Sequence, residues 1–156
     1  MDVHVIEEPG RTQIAVDIYC APHDPRVKGI ARALKSALGK LVGYADGSTK
    51  RQLINLDQVA SIHTDGDHAW IVCTDGQRYQ SPQRLFELEL ALAGTEFVRV
   101  SRQALVNFDK ARSIRPEPYG RLSLELEGGS YLAVSRTYAT AIKEKIGIEP
   151  PARREH

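Results

Sequence analysis

The stretch Phe97–Tyr138 decides how this chain is interpreted, and it reads FVRVSRQALVNFDKARSIRPEPYGRLSLELEGGSYLAVSRTY. Two Ser-Arg pairs, at positions 101–102 and 135–136, interrupt runs of β-type residues. Five further basic residues accompany them: Arg99, Lys110, Arg112, Arg115 and Arg121. The guanidinium group of arginine binds phosphate and contacts guanine edges through paired hydrogen bonds. Arginines at strand ends and turns therefore predict a nucleic-acid-binding surface.

The charge of the chain is distributed unevenly. Lys and Arg exceed Asp and Glu by only one over the 156 residues, so the chain as a whole is not basic. Residues 1–97 carry 10 Lys or Arg and 13 Asp or Glu, a net charge of −3, whereas residues 98–138 carry 7 and 4, a net charge of +3. Such a local excess acts over about 8–10 Å, the Debye length. It favours a small DNA-binding surface within the second region.

The sequence lacks catalytic and metal-binding patterns. Cys20 and Cys73 lie in apolar runs without a Cys-x-x-Cys spacing, and we interpret both as buried thiols in a reducing cytoplasm. The five histidines are scattered, and no Gly-rich phosphate loop or nucleophile motif occurs. No apolar run has membrane-spanning length, and no signal-peptide pattern opens the chain. We therefore expect a cytoplasmic protein that is not an enzyme and that has no metal, cofactor or small-molecule substrate.

The first 43 residues predict an extension made of two strands and a helix. The strands are Val3–Ile6 and Thr12–Cys20, on either side of a Pro9-Gly10 turn. An Asp24-Pro25 pair predicts the helix start. The apolar positions of the helix are Val27, Ile30, Ala31, Leu34, Leu38 and Leu41, and either Gly39 or Gly43 ends it.

The remainder contains an internal repeat with an offset of 52 residues. The repeated residues are Asn55, Asp57, Ser61, Ile62, Gly76, Tyr79 and Arg84, which match Asn107, Asp109, Ser113, Ile114, Gly128, Tyr131 and Arg136. Either duplication or turn chemistry used twice explains the match. Each half predicts three strands followed by a helix. The fold class is therefore mainly β with short helices (α+β), arranged as small stacked antiparallel sheets.

Two helices close the repeated halves. The first has apolar positions from Leu85 to Leu92 after a Ser81-Pro82 pair, and the second follows Ser135 and continues to Ile146. Residues 44–148 are predicted as one domain, and residues 149–156 as a disordered tail because they have little to bury.

The residues from Phe97 to Asn107 resemble the F-x-R-x-S-x-S-x-x-V-N stretch of the LytTR DNA-binding domain. The spacing to Ile114, to Gly120-Arg121-Leu122 and to the segment 133–138 matches that family too. The resemblance covers about Asp46–Gly147, and the N-terminal extension is similar to that of small stand-alone members. Gln103 departs from the pattern, since many members have a small hydroxyl residue there.

The resemblance implies a bacterial transcriptional regulator that binds double-stranded DNA in a sequence-specific manner. Such a protein is related to response regulators but has no receiver domain. Such domains insert loops into successive major grooves at imperfect direct repeats, and we expect a homodimer at least on DNA. A membrane protein can control stand-alone members, and the extension can serve dimerisation or regulation. Base-reading positions carried over by the resemblance are His68, Arg102 and Arg136. Positions implied on the phosphate path are Arg99, Ser101, Lys110, Arg121 and Ser135.

A second interpretation stays open at this stage. The same basic loops suit a non-catalytic module that binds protein or RNA. Arg102 and Arg136 are also compatible with ordinary solvated arginines, and His68 with a plain turn residue.

Overall fold

The computed structural model describes residues 1–12 and 14–145, without the side chain of Lys145. Within them lie two antiparallel sheets. The larger has seven strands in the order β2-β1-β5-β4-β3-β7-β6, and the smaller has three in the order β10-β9-β8. The strands of the larger sheet are β1 (Lys40–Tyr44), β2 (Arg51–Asn55), β3 (Val59–Asp65), β4 (His68–Cys73), β5 (Arg78–Ser81), β6 (Phe97–Ser101) and β7 (Ala104–Asn107). Those of the smaller sheet are β8 (Ala111–Pro116), β9 (Leu122–Leu126) and β10 (Tyr131–Val134). The helices are α1 (Val27–Leu38), α2 (Leu85–Ala91) and α3 (Arg136–Lys145).

The two predicted repeat units are confirmed by the order of the elements. Each unit begins with an Asn-x-Asp sequence and a short 3-10 helix, at Leu56–Gln58 and at Phe108–Lys110. Three strands and a helix follow in both cases, namely β3-β4-β5-α2 and β8-β9-β10-α3. The units differ in their surroundings, because β3 to β5 pair with other strands in the large sheet whereas β8 to β10 form a sheet alone.

Two hydrophobic clusters hold the sheets and helices together. One packs the inner face of the large sheet against α2, through residues such as Ile62, Ile71 and Leu88. The other joins the small sheet, α3 and the β6–β7 hairpin, through residues such as Leu124 and Ile142. Burial of each such side chain stabilises the fold by about 1.5–3 kcal/mol. The β6–β7 hairpin is therefore held in place by the packed side chains of the second cluster.

A buried asparagine links the two repeat units. Asn107 is 1% exposed, and its Nδ2 donates to the carbonyls of Leu56 at 3.2 Å and Val59 at 2.9 Å. Its Oδ1 accepts from the main-chain N–H of Asp109 at 3.2 Å. The asparagine that opens the second unit thus satisfies carbonyls of the first, so the end of β7 is held against the start of β3.

The two predicted N-terminal strands are wrong. The described residues before Val27 contain no strand, and every described residue from 1 to 23 is exposed, including Cys20, which was predicted to be buried. Alternating apolar residues form a strand only when a neighbouring strand supplies hydrogen bonds and an apolar face. The segment's hydrogen bonds are local, as between Arg11 and Glu8.

The predicted helix of the extension is confirmed with shifted limits. Asp24 does not cap it directly. Its carboxylate accepts from the N–H and the guanidinium of Arg26, the residue before the helix. The helix ends before Gly39, the first of the two predicted stops. Leu41 was predicted on the helix but is buried in β1, because the chain becomes extended at Gly39.

The predicted boundary between residues 43 and 44 falls inside β1, which pairs along its whole length with β2. The break in structure comes at Gly39, where α1 meets the sheet. The predicted tail, 149–156, lies outside the described residues. Within the described part of the chain, none of the helices is long and apolar enough to cross a bilayer.

Candidate nucleic-acid interface

The turn between β6 and β7 presents Arg102. This turn consists of Ser101, Arg102 and Gln103, and the Ser101 hydroxyl accepts from the main-chain N–H of Gln103 at 3.1 Å. A register shift between Arg99 and Ser101 precedes the turn, and such a bulge bends the strand and reorients its side chains. Arg102 and Gln103 are exposed. The turn therefore projects a guanidinium group from a locally ordered backbone.

Arg99 lies beneath this turn with three intramolecular partners. Its Nε donates to the carbonyl of Ser101 at 2.7 Å, and its Nη2 donates to the carbonyl of Arg102 at 2.8 Å. Its Nη1 forms an ion pair of 2.8 Å with Glu89 on α2. The side chain of Arg99 is 21% exposed. The guanidinium thus connects the helix to both carbonyls of the turn, and the predicted phosphate contact of Arg99 stays a prediction.

The second candidate turn joins β3 to β4. Asp65, Gly66 and Asp67 precede His68, and Gly66 has a positive φ of 62°, which glycine adopts without steric cost. The exposed His68 lies at the start of β4 with its Nδ1 2.8 Å from Nε2 of Gln80. Because an amide nitrogen only donates, Nδ1 accepts in this contact, and in the neutral ring Nε2 of His68 then carries the hydrogen.

The two turns lie at the same end of the large sheet. The main-chain N–H of Thr64 donates to the carbonyl of Gln103 at 2.8 Å, and the Thr64 hydroxyl donates to the same carbonyl at 3.4 Å. His63 also pairs with Ala104 in the β3–β7 ladder. The structure therefore places the predicted base-reading residues of these two turns on one edge.

Arg136, the first residue of α3, lies at the same end. The N–H of Ser135 donates to the carbonyl of Val100 at 2.9 Å, so the start of α3 is fixed to the end of β6. Val100 is two residues before Arg102, and a strand advances about 3.3 Å per residue. The main chains of Arg102 and Arg136 are therefore within about 15 Å of each other. Both side chains are exposed.

The loop before β9 adds a third arginine to this edge. The stem of Arg136 packs against Gly120, where an added Cβ would lie 3.2 Å from Cγ of Arg136. The adjacent Arg121 donates from Nε to the carbonyl of Pro118 at 3.2 Å and lies with its guanidinium carbon 5.7 Å from the centre of the Tyr119 ring. We call the exposed groups of Arg102, His68, Arg121 and Arg136, with Ser101 and Ser135, the arginine edge.

Lys110 is not brought to the arginine edge. It ends the 3-10 helix that follows β7, and its carbonyl accepts from the N–H of Glu127 at 2.9 Å, next to the end of β9. Arg121 lies at the opposite end of the β8–β9 pair, where the N–H of Glu117 donates to its carbonyl. The six residues of β8 separate these ends by about 20 Å. A phosphate contact for Lys110 stays a prediction without support from this arrangement.

Two residues of the site were missed in the sequence. Glu89 is the carboxylate partner of Arg99, and its position on α2 gave no signal because the two residues meet only in the folded chain. Tyr119 has a φ of 64° and is 82% exposed beside Arg121. A non-glycine residue in this left-handed region is uncommon and accompanies functional sites. The Pro118-Tyr119-Gly120 sequence was the available signal for that turn.

The charges of the arginine edge are unequal along its length. Arg102, Arg121 and Arg136 have no carboxylate partner among the described ion pairs, whereas Arg99 is paired. Asp65 and Asp67 lie in the turn before His68 and are exposed. They would repel phosphate, so this turn suits a contact with bases rather than with the backbone. No cluster of metal-ligating side chains occurs among the described residues.

The family model of the LytTr DNA-binding domain matches residues 49–147. The chain belongs to this family. A relative from Staphylococcus aureus (strain NCTC 8325 / PS 47), called an uncharacterized HTH-type transcriptional regulator, is 28% identical over 151 residues, which cover 95% of this chain and 99% of the relative. A second one, from strain MRSA252, is 27% identical over the same length.

A solved structure gives the same fold. The LytTr DNA-binding domain of a Bacillus cereus protein superposes with a TM-score of 0.62 at 20% sequence identity, over 70% of this chain and 99% of that one. Within the described residues of this LytTr protein, no two helices follow each other directly along the chain. The arginine edge therefore consists of turns and one helix start, without a helix-turn-helix unit.

Proposed function

We propose that this LytTr protein is a transcriptional regulator that reads double-stranded DNA in a sequence-specific manner through the arginine edge. The observation that carries the proposal is the hydrogen-bonded connection of three separate chain segments at one end of the molecule. Thr64 bonds to Gln103, and Ser135 bonds to Val100. Side chains that are 34 or more residues apart in sequence thereby become available to one ligand.

Within this proposal, Arg102 and Arg136 read bases. A guanidinium at the tip of a turn can donate to O6 and N7 of guanine together, which contributes about 1–3 kcal/mol of discrimination against another base. His68 reads bases from the adjacent turn, with the Nε2 hydrogen as donor. The major groove is about 12 Å wide and accepts a turn of this size.

The phosphate path passes beside these groups. Arg121 is exposed next to Arg136 and contacts phosphate in this proposal. Ser101 and Ser135 each precede one of the two arginines that read bases. In this proposal, the first N–H groups of α3 bind a phosphate, which the positive end of the helix dipole stabilises. We assign Arg99 to the support of the Arg102 turn, and we place Lys110 outside the interface.

Two copies occupy two neighbouring repeats of the operator. Successive major grooves on one side of the duplex are about 34 Å apart, so a single arginine edge covers one groove and a second copy covers the next. Imperfect direct repeats in the operator follow if the copies have the same orientation. We place this activity in the bacterial cytoplasm, and a membrane protein that controls it stays an expectation from the resemblance.

The experiment that tests this function begins with genome-wide mapping of the DNA bound by the protein, followed by fluorescence anisotropy on the recovered site. Specific binding should exceed binding to a shuffled duplex and to single-stranded RNA of equal length by about 10³-fold or more. The logarithm of the affinity should fall linearly with the logarithm of salt, by about 0.9 for each phosphate contacted.

A matched pair of variants distinguishes the contribution of the arginine edge to binding from that of positive charge elsewhere on the protein. Arg102→Ala removes an exposed arginine on the edge, and Arg112→Ala removes an exposed arginine at the other end of β8. Only the first should reduce discrimination between the site and its shuffled form. Equal affinity for RNA and for the mapped duplex would favour the alternative, a module that binds RNA through the same loops.

A further inference from the structure

The apolar side of α1 faces away from the domain that follows it. Ser36 is the only fully buried residue of α1, and its hydroxyl accepts from the N–H of Glu96 at 2.9 Å. Val27 is nine residues earlier, which is about two and a half turns at 3.6 residues per turn. The stripe formed by Val27, Ile30, Ala31, Leu34 and Leu38 is therefore centred about 180° from Ser36. We call it the α1 stripe.

The α1 stripe is incompletely covered. Val27, Ile30 and Leu34 are half-buried, and Leu38 is 59% exposed. A strongly amphipathic helix is stable in water when its apolar side packs against another element. The hydrogen bond between Ser36 and Glu96 and the packing of Gly39 against Leu56 attach the last turn of α1 to the domain. Leu38 therefore leaves the C-terminal end of the stripe available to a partner.

The segment 1–23, which we call the arm, carries matching apolar residues. Val3, Val5 and Ile14 are each at least 79% exposed, and the described residues of the arm form no strand or helix. Its apolar residues alternate with polar ones along both parts of the segment. This pattern suits a chain that lies extended on an apolar surface.

The charges of the arm and of its neighbourhood are complementary. Residues 1–23 contain four Asp or Glu and one Arg, a net charge of −3. Residues 26–51, which include α1, β1 and the start of β2, contain seven Lys or Arg and one Asp, a net charge of +6. Complementary potentials of this kind steer association and fix its register.

We infer that the arm of one copy packs on the α1 stripe of a second copy, and that this exchange is the self-association contact of the protein. The inference rests on the two-copy complex of the proposed function and names the surfaces that form it. The arm supplies acidic and apolar residues, and α1 supplies a basic and apolar helix. Both are present in every copy, so no other partner is required.

The exchange suits direct repeats. Because the arm and the α1 stripe are different surfaces, a one-way contact between the arm of one copy and the stripe of the next joins the copies head to tail, with the same orientation on DNA. A two-fold contact made by one self-complementary patch would instead orient the copies oppositely. The alignment with the Staphylococcus relatives, over 151 residues, includes most of the arm and all of α1.

Disulfide trapping between two differently tagged full-length copies tests the exchange. One copy keeps the exposed Cys20, and the other carries Cys20→Ser with Ala37→Cys beside the stripe. Oxidation with glutathione disulfide should join the two tags. The matched control carries Cys20→Ser with Ser130→Cys, exposed in the β9–β10 turn, and should yield at least about fivefold less. Equal yields would overturn the inference.

A single chain with both Cys20 and Ala37→Cys tests the other placement of the arm. If its disulfide forms only within the chain, at dilutions where two copies still associate, the arm covers its own helix and the inference is wrong. If the mixed-tag product predominates, the exchange between copies is supported.

Sedimentation provides a readout without cysteines. Leu38→Gln removes an exposed leucine of the stripe, and Leu90→Gln removes a 74% exposed leucine of α2 as its control. Leu38→Gln should raise the dissociation constant for association between copies at least about tenfold, whereas Leu90→Gln should not. Both variants should bind a single repeat like the unmodified protein. If the unmodified protein does not bind a single repeat, the proposed function is wrong. If Leu38→Gln associates as tightly as the unmodified protein, the exchange is wrong.

Discussion

The guanidinium of Arg99 donates a 2.8 Å hydrogen bond to the main-chain carbonyl of Arg102. The same group reaches the carbonyl of Ser101 and the carboxylate of Glu89. A planar group with donors in a fixed fork holds two carbonyls at a defined separation, which a lysine cannot do. The position of the proposed base-reading arginine therefore depends on a second arginine three residues before it.

Arg99→Lys tests this dependence. Lysine keeps the charge and the ion pair with Glu89 but loses one of the two carbonyl contacts, so the turn should lose its fixed shape. We expect DNA affinity to fall about tenfold and the free energy of unfolding to fall by about 1.5–3 kcal/mol, the range for hydrogen bonds to charged groups. Anisotropy and urea denaturation measure the two effects.

The control for this variant is Glu89→Gln. Glu89 is 48% exposed, so removal of its charge should lower the free energy of unfolding by less than about 1 kcal/mol. The salt dependence of Arg99→Ala adds a second check. A slope that falls by about one unit would show that Arg99 contacts a phosphate directly.

Arg102→Ala and Arg136→Ala address base reading. Both side chains are exposed, so each variant should keep its free energy of unfolding within about 0.5 kcal/mol. Each should lose about 1–3 kcal/mol of discrimination at one position of the repeat. Affinity for variant operators, substituted one base pair at a time, locates these positions. A variant that unfolds would instead identify its arginine as structural.

Arg121→Ala and Lys110→Ala differ in their place relative to the arginine edge. Arg121 lies beside Arg136, whereas Lys110 lies about 20 Å away at the other end of β8. We expect Arg121→Ala to reduce affinity evenly across sequences and to lower the salt slope by about one unit. Lys110→Ala should leave the slope unchanged. A lower slope in Lys110→Ala would mean that the DNA extends along the small sheet.

The two repeat units were predictable because their signals are local. Asn-x-Asp starts, glycine turns and alternating apolar residues occur twice at one offset, and each acts within a few residues of itself. The contacts of Asn107 with Leu56 and Val59 were not predictable, since they join residues about 50 positions apart. Local turn residues determine the order of strands and helix within each repeat unit, and long-range packing determines how the two units contact each other.

The N-terminal strands failed for a related physical reason. The alternation of Val3, Val5, Ile14 and Val16 predicts an apolar face that packs against another element. It does not predict which element that is. In a single copy, the described residues of this segment form no ladder with any of the edge strands β2, β6, β8 and β10. Leu41 was predicted on the helix because a single apolar residue fits both the helical and the strand period. The chain becomes extended at Gly39, so Leu41 lies in β1 instead.

The candidate site was predictable as a set of residue types and not as a geometry. Arginines at turns are visible in the sequence, and the resemblance selects among them. The sequence does not show that Arg99 points into the turn or that Lys110 lies at the other end of a strand. These facts follow from hydrogen bonds such as that between Ser135 and Val100, which exist only after the sheets have formed.

The two cysteines should differ in reactivity. Burial, with a smaller effect from the charge of Asp75, raises the pKa of Cys73 to about 11, and Cys20 is exposed. Only a thiolate reacts rapidly with iodoacetamide. At pH 8 we expect one modified thiol in the folded protein, two in urea, and none in folded Cys20→Ser. Mass spectrometry counts them, and modification of Cys73 in the folded Cys20→Ser variant would contradict its burial in the sheet.

His63 should make the stability of the fold depend on pH. It lies half-buried in β3 with its Nε2 2.8 Å from the Ser61 hydroxyl, and burial lowers its pKa below the usual value of about 6.5. As the pH falls below about 6.5, the unfolded chain binds a proton that the folded chain does not, so the free energy of unfolding decreases. It stops decreasing through this group below the folded pKa. Urea denaturation from pH 8 to pH 5 should show the decrease, and His63→Gln should remove most of it. An unchanged pH dependence in His63→Gln would assign the effect to other groups.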